Sequence, residues 1–224
     1  SHWVRTAETP ARAATDAAEA VAAAAAPPGQ IATLILPADV CWSEAGDPAR
    51  AIPVAARGRV APERIREIAA ALRGGEACAM LMNGHALRER GLVAASRVAN
   101  TSRARLLVDT FAGRIQRGAG RPPIERLPYF AEMAWDVLKE VKHLILVGTQ
   151  SPVSFFAYPG VPNYLVPDSC RVHELASPSE DAIEALEHLA DEIGAAKDAA
   201  TIQEARRPAE PSGTLDGKAV GEAV

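Results

Sequence analysis

Three short, almost unbroken apolar runs, Cys78 to Met82, Arg105 to Val108 and Leu144 to Val147, are separated by segments of helical periodicity. Apolar runs of this length without alternation belong to strands buried on both faces. Strands that alternate with helices have to pair in parallel, because the helix carries the chain back to the starting edge, and the crossover is right-handed. The fold class expected is α/β, a doubly wound parallel sheet with helices on both faces.

The helices carry their own start and stop signals. Pro62 stands where a first helical position belongs, Ile65, Ile68 and Leu72 share a face, and Gly74-Gly75 ends the run. Asn83-Gly84 turns the chain out of the first strand into a helix through Leu87, Val93 and Val98. After the second strand, a loop rich in Gly and Arg, Gly113 to Arg126, leads to a helix carrying Phe130, Met133, Ala134, Val137 and Val141. Beyond the third, Tyr164 to Val166 and Arg171 to Leu175 read as shorter strands. A final helix is expected to start with Ser177 as N-cap, Pro178 in the first turn and Glu180 three residues after the cap. Its buried face would be Ile183, Leu186, Leu189, Ala190 and Ile193.

Ahead of this unit, residues 9 to 26 read as an Ala-rich helix ended by Pro27-Pro28-Gly29, and Ile31 to Leu36 as a buried strand of the parallel type. The following stretch, with Gly46, Pro48, Pro53 and Gly58, has no periodicity and reads as a linker over 43–60. From Ala195 the chain turns polar, Ala-rich and Pro-interrupted, a second linker over 197–224. It opens on Ser1-His2-Trp3 and closes on Gly221-Glu222-Ala223-Val224 inside an amphipathic pattern, so a fragment is expected.

Charge narrows the function classes. A net charge of −4 with both signs interspersed leaves no electrostatic footprint for nucleic acid, and 4% aromatic residues leave no stacking platform. The run Ala17 to Ala26 is apolar but short, carries Glu19 and is stopped by Pro27, so no membrane partner is expected either. Cys41, Cys78 and Cys170 are odd in number and far apart, which fits reduced, buried thiols in a cytoplasmic protein.

The stretch His143-Leu-Ile-Leu-Val-Gly-Thr-Gln-Ser-Pro-Val-Ser-Phe-Phe-Ala-Tyr-Pro-Gly160, continuing to Leu165-Val166-Pro167, resembles the last part of the middle domain of thiamine-diphosphate-dependent enzymes of the acetolactate synthase and benzoylformate decarboxylase type. Pro28-Gly29-Gln30-Ile31-Ala32-Thr33-Leu34-Ile35-Leu36-Pro37-Ala38-Asp39-Val40 and Pro211-Ser212-Gly213 agree with it in order. The resemblance implies that residues 1–42 are the last helix and strand of a truncated pyrimidine-binding domain. It makes 61–196 the middle domain and 197–224 the lead toward a missing diphosphate-binding domain. It also implies a parent that decarboxylates and joins 2-keto acids with thiamine diphosphate and magnesium. The partners implied are the missing domains of the same polypeptide, further copies in a homo-oligomer and a small-molecule substrate. The family's activating glutamate and its Gly-Asp-Gly motif with a following Asn have no counterpart here, since Asp216-Gly217 lacks the Asn. The chain alone is therefore expected to be scaffold, with no catalytic residue and no metal site of its own.

Some members of that family hold FAD or an adenine nucleotide in the middle domain. Ligands in such sheets lie beyond the carboxyl ends of the strands. Those positions are Asn83-Gly84, Thr110 with Gly113, and Gly148 with Gln150, so Gly84, Thr110, Gly113, Gly148 and Gln150 are the candidate cofactor-binding residues. The glycines would let backbone amides approach a phosphate. A Gly-x-Gly-x-x-Gly fingerprint is absent, however, and Gln150-Ser151-Pro152 replaces the Arg-Phe-Asp of FAD-binding relatives. Arg114, Arg117, Arg121 and Arg126 could clamp a phosphate, but read as a solvated, mobile basic loop packing on missing domains. Phe155-Phe156-Ala157-Tyr158-Pro159 reads as an apolar surface buried against another domain or subunit. Asp109 reads as a cap for its turn rather than a ribose ligand. The five histidines show no catalytic or metal-binding spacing. Two other readings stay open: a free-standing nucleotide-binding module and a ligand-free structural domain.

Overall fold

The computed structural model describes residues 1–160, 162–198, 200–207 and 209–223. Ala199, Pro208 and Val224 of the expected second linker, and Val161 ahead of the expected Tyr164 strand, lie outside the described residues.

The chain begins with a small parallel pair, β1 (Trp3–Thr6) and β2 (Ala32–Ile35), joined through α1 (Pro10–Ala25) and followed by a short helix, α2 (Ala38–Trp42). The expected helix is α1, ended by the Pro27-Pro28-Gly29 breaker. β2 is parallel as expected, but it is not buried. One side of the pair rests on α1 while Val4, Ile31, Ile35 and Leu36 stay exposed, because a two-stranded sheet has only one covered face. β1 escapes sequence reading since Trp-Val-Arg-Thr is four residues long and half polar. Asp16 is buried in α1, where Arg5 and Arg12 reach its carboxylate at 3.0 and 3.2 Å.

Between Ser43 and Ala61 there is no helix or named strand, only a single bridge from Gly58 to Glu180. Then α3 (Pro62–Arg73) leads into five parallel strands ordered β5-β4-β3-β6-β7: β3 (Cys78–Met82), β4 (Arg105–Val108), β5 (Glu125–Arg126), β6 (His143–Val147) and β7 (Arg171–Ala176). In register, Met80 of the central strand lies between Leu106 and Ile145. Alternate residues feed two cores. Met80, Met82, Val108, Ile145 and Val147 pack under α3, α4 (Glu89–Ser102) and α6 (Ala182–Glu192), and Ala79, Leu81, Leu107, Leu144 and Leu146 pack under α5 (Ala131–Leu138). Helices on both faces of a parallel sheet make this the α/β fold expected. A last helix, α7 (Gly217–Ala223), buries no residue.

Several local details differ from expectation. The chain leaving β3 first makes a 3-10 turn, Gly84–Leu87, before α4. In α5 the buried residues are Ala131, Ala134 and Leu138, while Phe130 and Met133 point outward. Tyr164 to Val166 is no strand; Tyr164 makes one antiparallel bridge to Val153. The N-cap of α6 is Asp181, whose carboxylate accepts from the amides of Ile183 and Glu184 at 3.1 and 3.0 Å. Ser177 and Glu180 do form half of a capping box, since Glu180 accepts from the Ser177 amide at 2.8 Å, but they close the turn before the helix. Arg64 Nη1 donates to both oxygens of the same carboxylate, at 3.1 and 2.9 Å. Burial pushes the Glu180 carboxyl upward, but the Ser177 amide and Arg64 outweigh it and hold it below the usual range. Of the cysteines, Cys78 is buried and Cys170 half-buried, whereas Cys41 is exposed, contrary to expectation.

Candidate functional site

The sheet reverses its direction of growth between β3 and β6, and the loops there part to leave an open crevice at the carboxyl ends. Each strand hands its last carbonyl to the loop beside it: Asn83 N to Val147 O at 3.0 Å, Asp109 N to Met82 O at 3.0 Å, and Gly148 N to Ala176 O at 2.8 Å. Gly148 has φ +66°, and a Cβ there would stand 3.0 Å from Asn83 O, so both torsion and space call for glycine.

Asp109 ties this layer together. Its Oδ2 accepts from Asn83 Nδ2 at 3.2 Å and from the buried Thr149 hydroxyl at 2.7 Å, and Oδ1 lies 3.4 Å from the Phe111 amide. One carboxylate thus joins the ends of β3, β4 and β6. Thr149 is the residue that sequence reasoning missed. Its signal, a Thr directly after a strand-ending Gly, is common in turns.

The crevice encloses about 380 Å³, within the range of small-molecule sites. Thr110, Gly148 and Gln150 of the expected residues line it, together with Asn83, Asp109 and Thr149. Gly84 and Gly113 are not among the lining residues. Gly84, at φ +62°, is held by Asn83 Oδ1, which accepts from its amide at 2.7 Å, and opens the 3-10 turn. The rim is aromatic: Phe111 and Phe155 lie 5.2 Å apart between centroids, with Tyr129 at 5.9 and 5.7 Å from them. Phe156 and Tyr158 continue the exposed aromatic surface away from the crevice.

The arginine loop is tied down within the chain. Arg121 pairs with Glu89 at 3.0 Å, Arg117 donates to Ile124 O at 3.1 Å, and Arg126 donates to Thr110 O. Gln116 N donates to Leu87 O at 3.1 Å, while its side-chain oxygen accepts from the Glu89 amide at the start of α4. A diphosphate would need that amide and a nearby cation. Here Gln116 takes that amide, Arg88 and Arg121 stand at the helix start with Arg121 paired to Glu89, and no Lys, Arg or His is among the residues lining the crevice. With that amide filled from within the chain, the turn is not open to a dinucleotide diphosphate.

Two histidine arrangements lie away from the crevice mouth. His85 Nε2 accepts from the Ala182 amide at 3.0 Å, which requires a neutral ring protonated at Nδ1. Burial, with Arg57 adding, pulls the His85 pKa down, and this outweighs Asp181 at 3.5 Å, so that contact is not an ion pair near neutrality. At the opposite end of the sheet, buried His143 bridges Glu76 and His173 at 2.9 Å each. Among the described residues, no group of three or more His, Cys, Asp or Glu is placed to hold a metal ion, and no helix is long and apolar enough to cross a membrane.

No known family profile matches the chain. Over all 224 residues it is 48% identical to IlvX, an acetolactate synthase large subunit-like protein of Mycobacterium tuberculosis. That alignment takes in 100% of this chain and 42% of the relative, so the chain spans less than half the relative's length. Solved structures that share the fold include the following three. A thiamin diphosphate-dependent enzyme-like protein from Mycobacterium smegmatis superposes with TM-score 0.65 at 19% identity, over 88% of this chain and 40% of that one. The thiamine diphosphate-dependent 4-hydroxybenzoylformate decarboxylase of Rhodococcus jostii RHA1 gives 0.65 at 16%, over 95% and 43%. Benzoylformate decarboxylase from Polynucleobacter necessarius gives 0.61 at 16%, over 97% and 44%.

Proposed function

We propose that this acetolactate synthase large subunit-like chain is the central domain, with flanking pieces, of a thiamine-diphosphate-dependent enzyme that decarboxylates and joins 2-keto acids. The observation that carries the reading is kinship without a gap in coverage: all 224 residues align at 48% identity with a relative more than twice as long. In such a parent, thiamine diphosphate would supply the electron sink for cleaving the bond next to a keto group, with magnesium as its companion metal. On this reading both groups are held by other parts of the parent.

On this reading the chain's own share is mechanical. The five-stranded sheet is the rigid body, and the exposed Phe156 and Tyr158 beyond the crevice and the half-covered β1–β2 pair are the faces that neighbouring domains or a second subunit cover. Cys78, whose thiol burial pushes up, stays unreactive there, in keeping with a reduced, cytoplasmic parent.

The test is to measure the intact mass of the native gene product and then assay it. A product two to three times the 23.5 kDa of this chain, turning over a 2-keto acid with thiamine diphosphate and magnesium, is the expected result. The isolated 224-residue chain should show no turnover under the same conditions. A native product of 23.5 kDa, or a longer one inert toward 2-keto acids, would overturn the reading.

A further inference from the structure

The crevice at the strand ends has an electrostatic character opposite to that of a phosphate site. Its lining holds one carboxylate, Asp109, and no Lys, Arg or His. The guanidinium groups of Arg126 and Arg57 donate to the carbonyls of two lining residues, Thr110 and Pro178, but neither side chain is itself among those lining the crevice. The N–H at the start of α4, which would otherwise favour an anion, is taken by Gln116. Beside the carboxylate stand three rings in mutual contact, with Phe111 59% and Phe155 60% exposed. A ring face carries the negative part of the aromatic quadrupole, so rings next to a carboxylate attract positive charge and repel anions.

We propose that this crevice binds a small organic cation, an ammonium group carried on an apolar or aromatic body, and rejects phosphates and carboxylates. The ammonium sits toward Asp109 and the ring faces of Phe111 and Phe155, and the apolar body rests against Leu127, Pro152 and Leu165. Thr149 and Asn83 take part by holding the Asp109 carboxylate in place, at 2.7 and 3.2 Å. This inference stands apart from the keto-acid reading, since it draws only on residues of this chain.

Three probes of similar shape and different charge test it: benzylammonium, benzyl alcohol and benzoate, titrated into the full chain and followed by NMR chemical shifts. Benzylammonium is expected to bind about fivefold more tightly than benzyl alcohol, the size of a surface cation–π and carboxylate contribution, and benzoate more weakly than either. Asp109→Asn should erase the difference between benzylammonium and benzyl alcohol. Phe155→Leu, at an exposed rim position that does not threaten folding, should weaken both several-fold and carries the test if Asp109→Asn fails to fold. Benzoate or inorganic pyrophosphate binding in the crevice as tightly as benzylammonium would overturn the proposal, as would no saturable binding of benzylammonium. Neither result would touch the 2-keto acid assay, so the two failures are separable.

Discussion

His143 and His173 meet across the β6–β7 pairing with Nδ1 and Nε2 2.9 Å apart, and the other nitrogen of His143 lies 2.9 Å from Glu76. The two rings share a single proton on the axis between them, so protonating both would set two N–H groups head to head. Burial first, then His143 and Arg171, push the His173 pKa below its ordinary value, and Glu67 on α3 opposes them. Lys142 and Arg171 also face Glu76, whose carboxyl is held low chiefly by the bond to His143. The folded chain therefore takes up the His173 proton less readily than the unfolded chain. Its stability is full above about pH 6.5 and is lost as pH falls through that value toward the lower folded one. The Glu76 contribution follows only at more acidic pH. Urea midpoints should drop between pH 8 and pH 5.5, and His173→Gln should reduce that drop while leaving the share of His85, whose pKa is lowered too; an unchanged slope in the variant would exclude His173 as a source.

Gly91 lies inside α4, where helix propensity alone would favour Ala by about 1 kcal/mol. The tertiary structure reverses the sign. A Cβ at this position would stand 2.3 Å from the Ala86 carbonyl oxygen, and that oxygen belongs to the backbone of the 3-10 turn. Gly91→Ala is expected to destabilise the chain by about 2 kcal/mol in urea denaturation, the ordinary cost of overpacking. A stabilised variant would show that the turn shifts freely.

Asp181 and Ser177 compete for the start of α6, and the structure assigns the cap to Asp181. Asp181→Ala should cost about 1 kcal/mol, the usual value of a lost N-cap, and Ser177→Ala only a fraction of it. Equal losses in paired thermal melts would mean that the Ser177 turn matters as much as the cap.

Removing residues 1–56 takes away β1, α1, β2 and α2 with their exposed Val4, Ile31, Ile35, Leu36 and Trp42. It keeps Arg57, which donates to Pro178 O at 2.8 Å, and Gly58, whose amide donates to Ser179 O at 3.1 Å. The shortened chain should be more soluble and still melt cooperatively, because both cores of the five-stranded sheet are retained. A broad, non-cooperative melt would refute this.

Phe155→Ser with Phe156→Ser removes two exposed rings, Phe155 on the crevice rim and Phe156 beyond it. If this surface covers a second copy, light scattering should report a smaller mass for the double variant than for the unaltered chain at equal concentration. An unchanged mass would sink the assembly role.

The central architecture was legible because it rests on local signals that survive folding unchanged. Cys78 to Met82 and Arg105 to Val108 are strands to the residue, since a run that apolar has nowhere to lie but between two layers. Pro62 and Gly75, the latter at φ +77° just past the helix, bound α3 for reasons of backbone torsion that need no neighbours. Where the sequence misled, a distant partner had intervened. Glu180 looked like half of a helix cap, but Arg64, more than a hundred residues away in sequence, holds its carboxylate in the turn. Phe130 and Met133 looked like core, but α5 is rotated so that its small residues, Ala131 and Ala134, approach the sheet.

The site divides in the same way. The sequence by itself placed the crevice, because strand ends and their glycines follow from the order of helices and strands. It also carried the kinship that the 48% identity bears out. Only the tertiary structure decided the character of that crevice. Gln116 at the start of α4, Thr149 and Asn83 on Asp109, and Phe111 against Phe155 join residues from different connections. Which charge stands free in a cleft depends on which side chains have already paired, and that pairing is a property of three-dimensional proximity that no local pattern encodes.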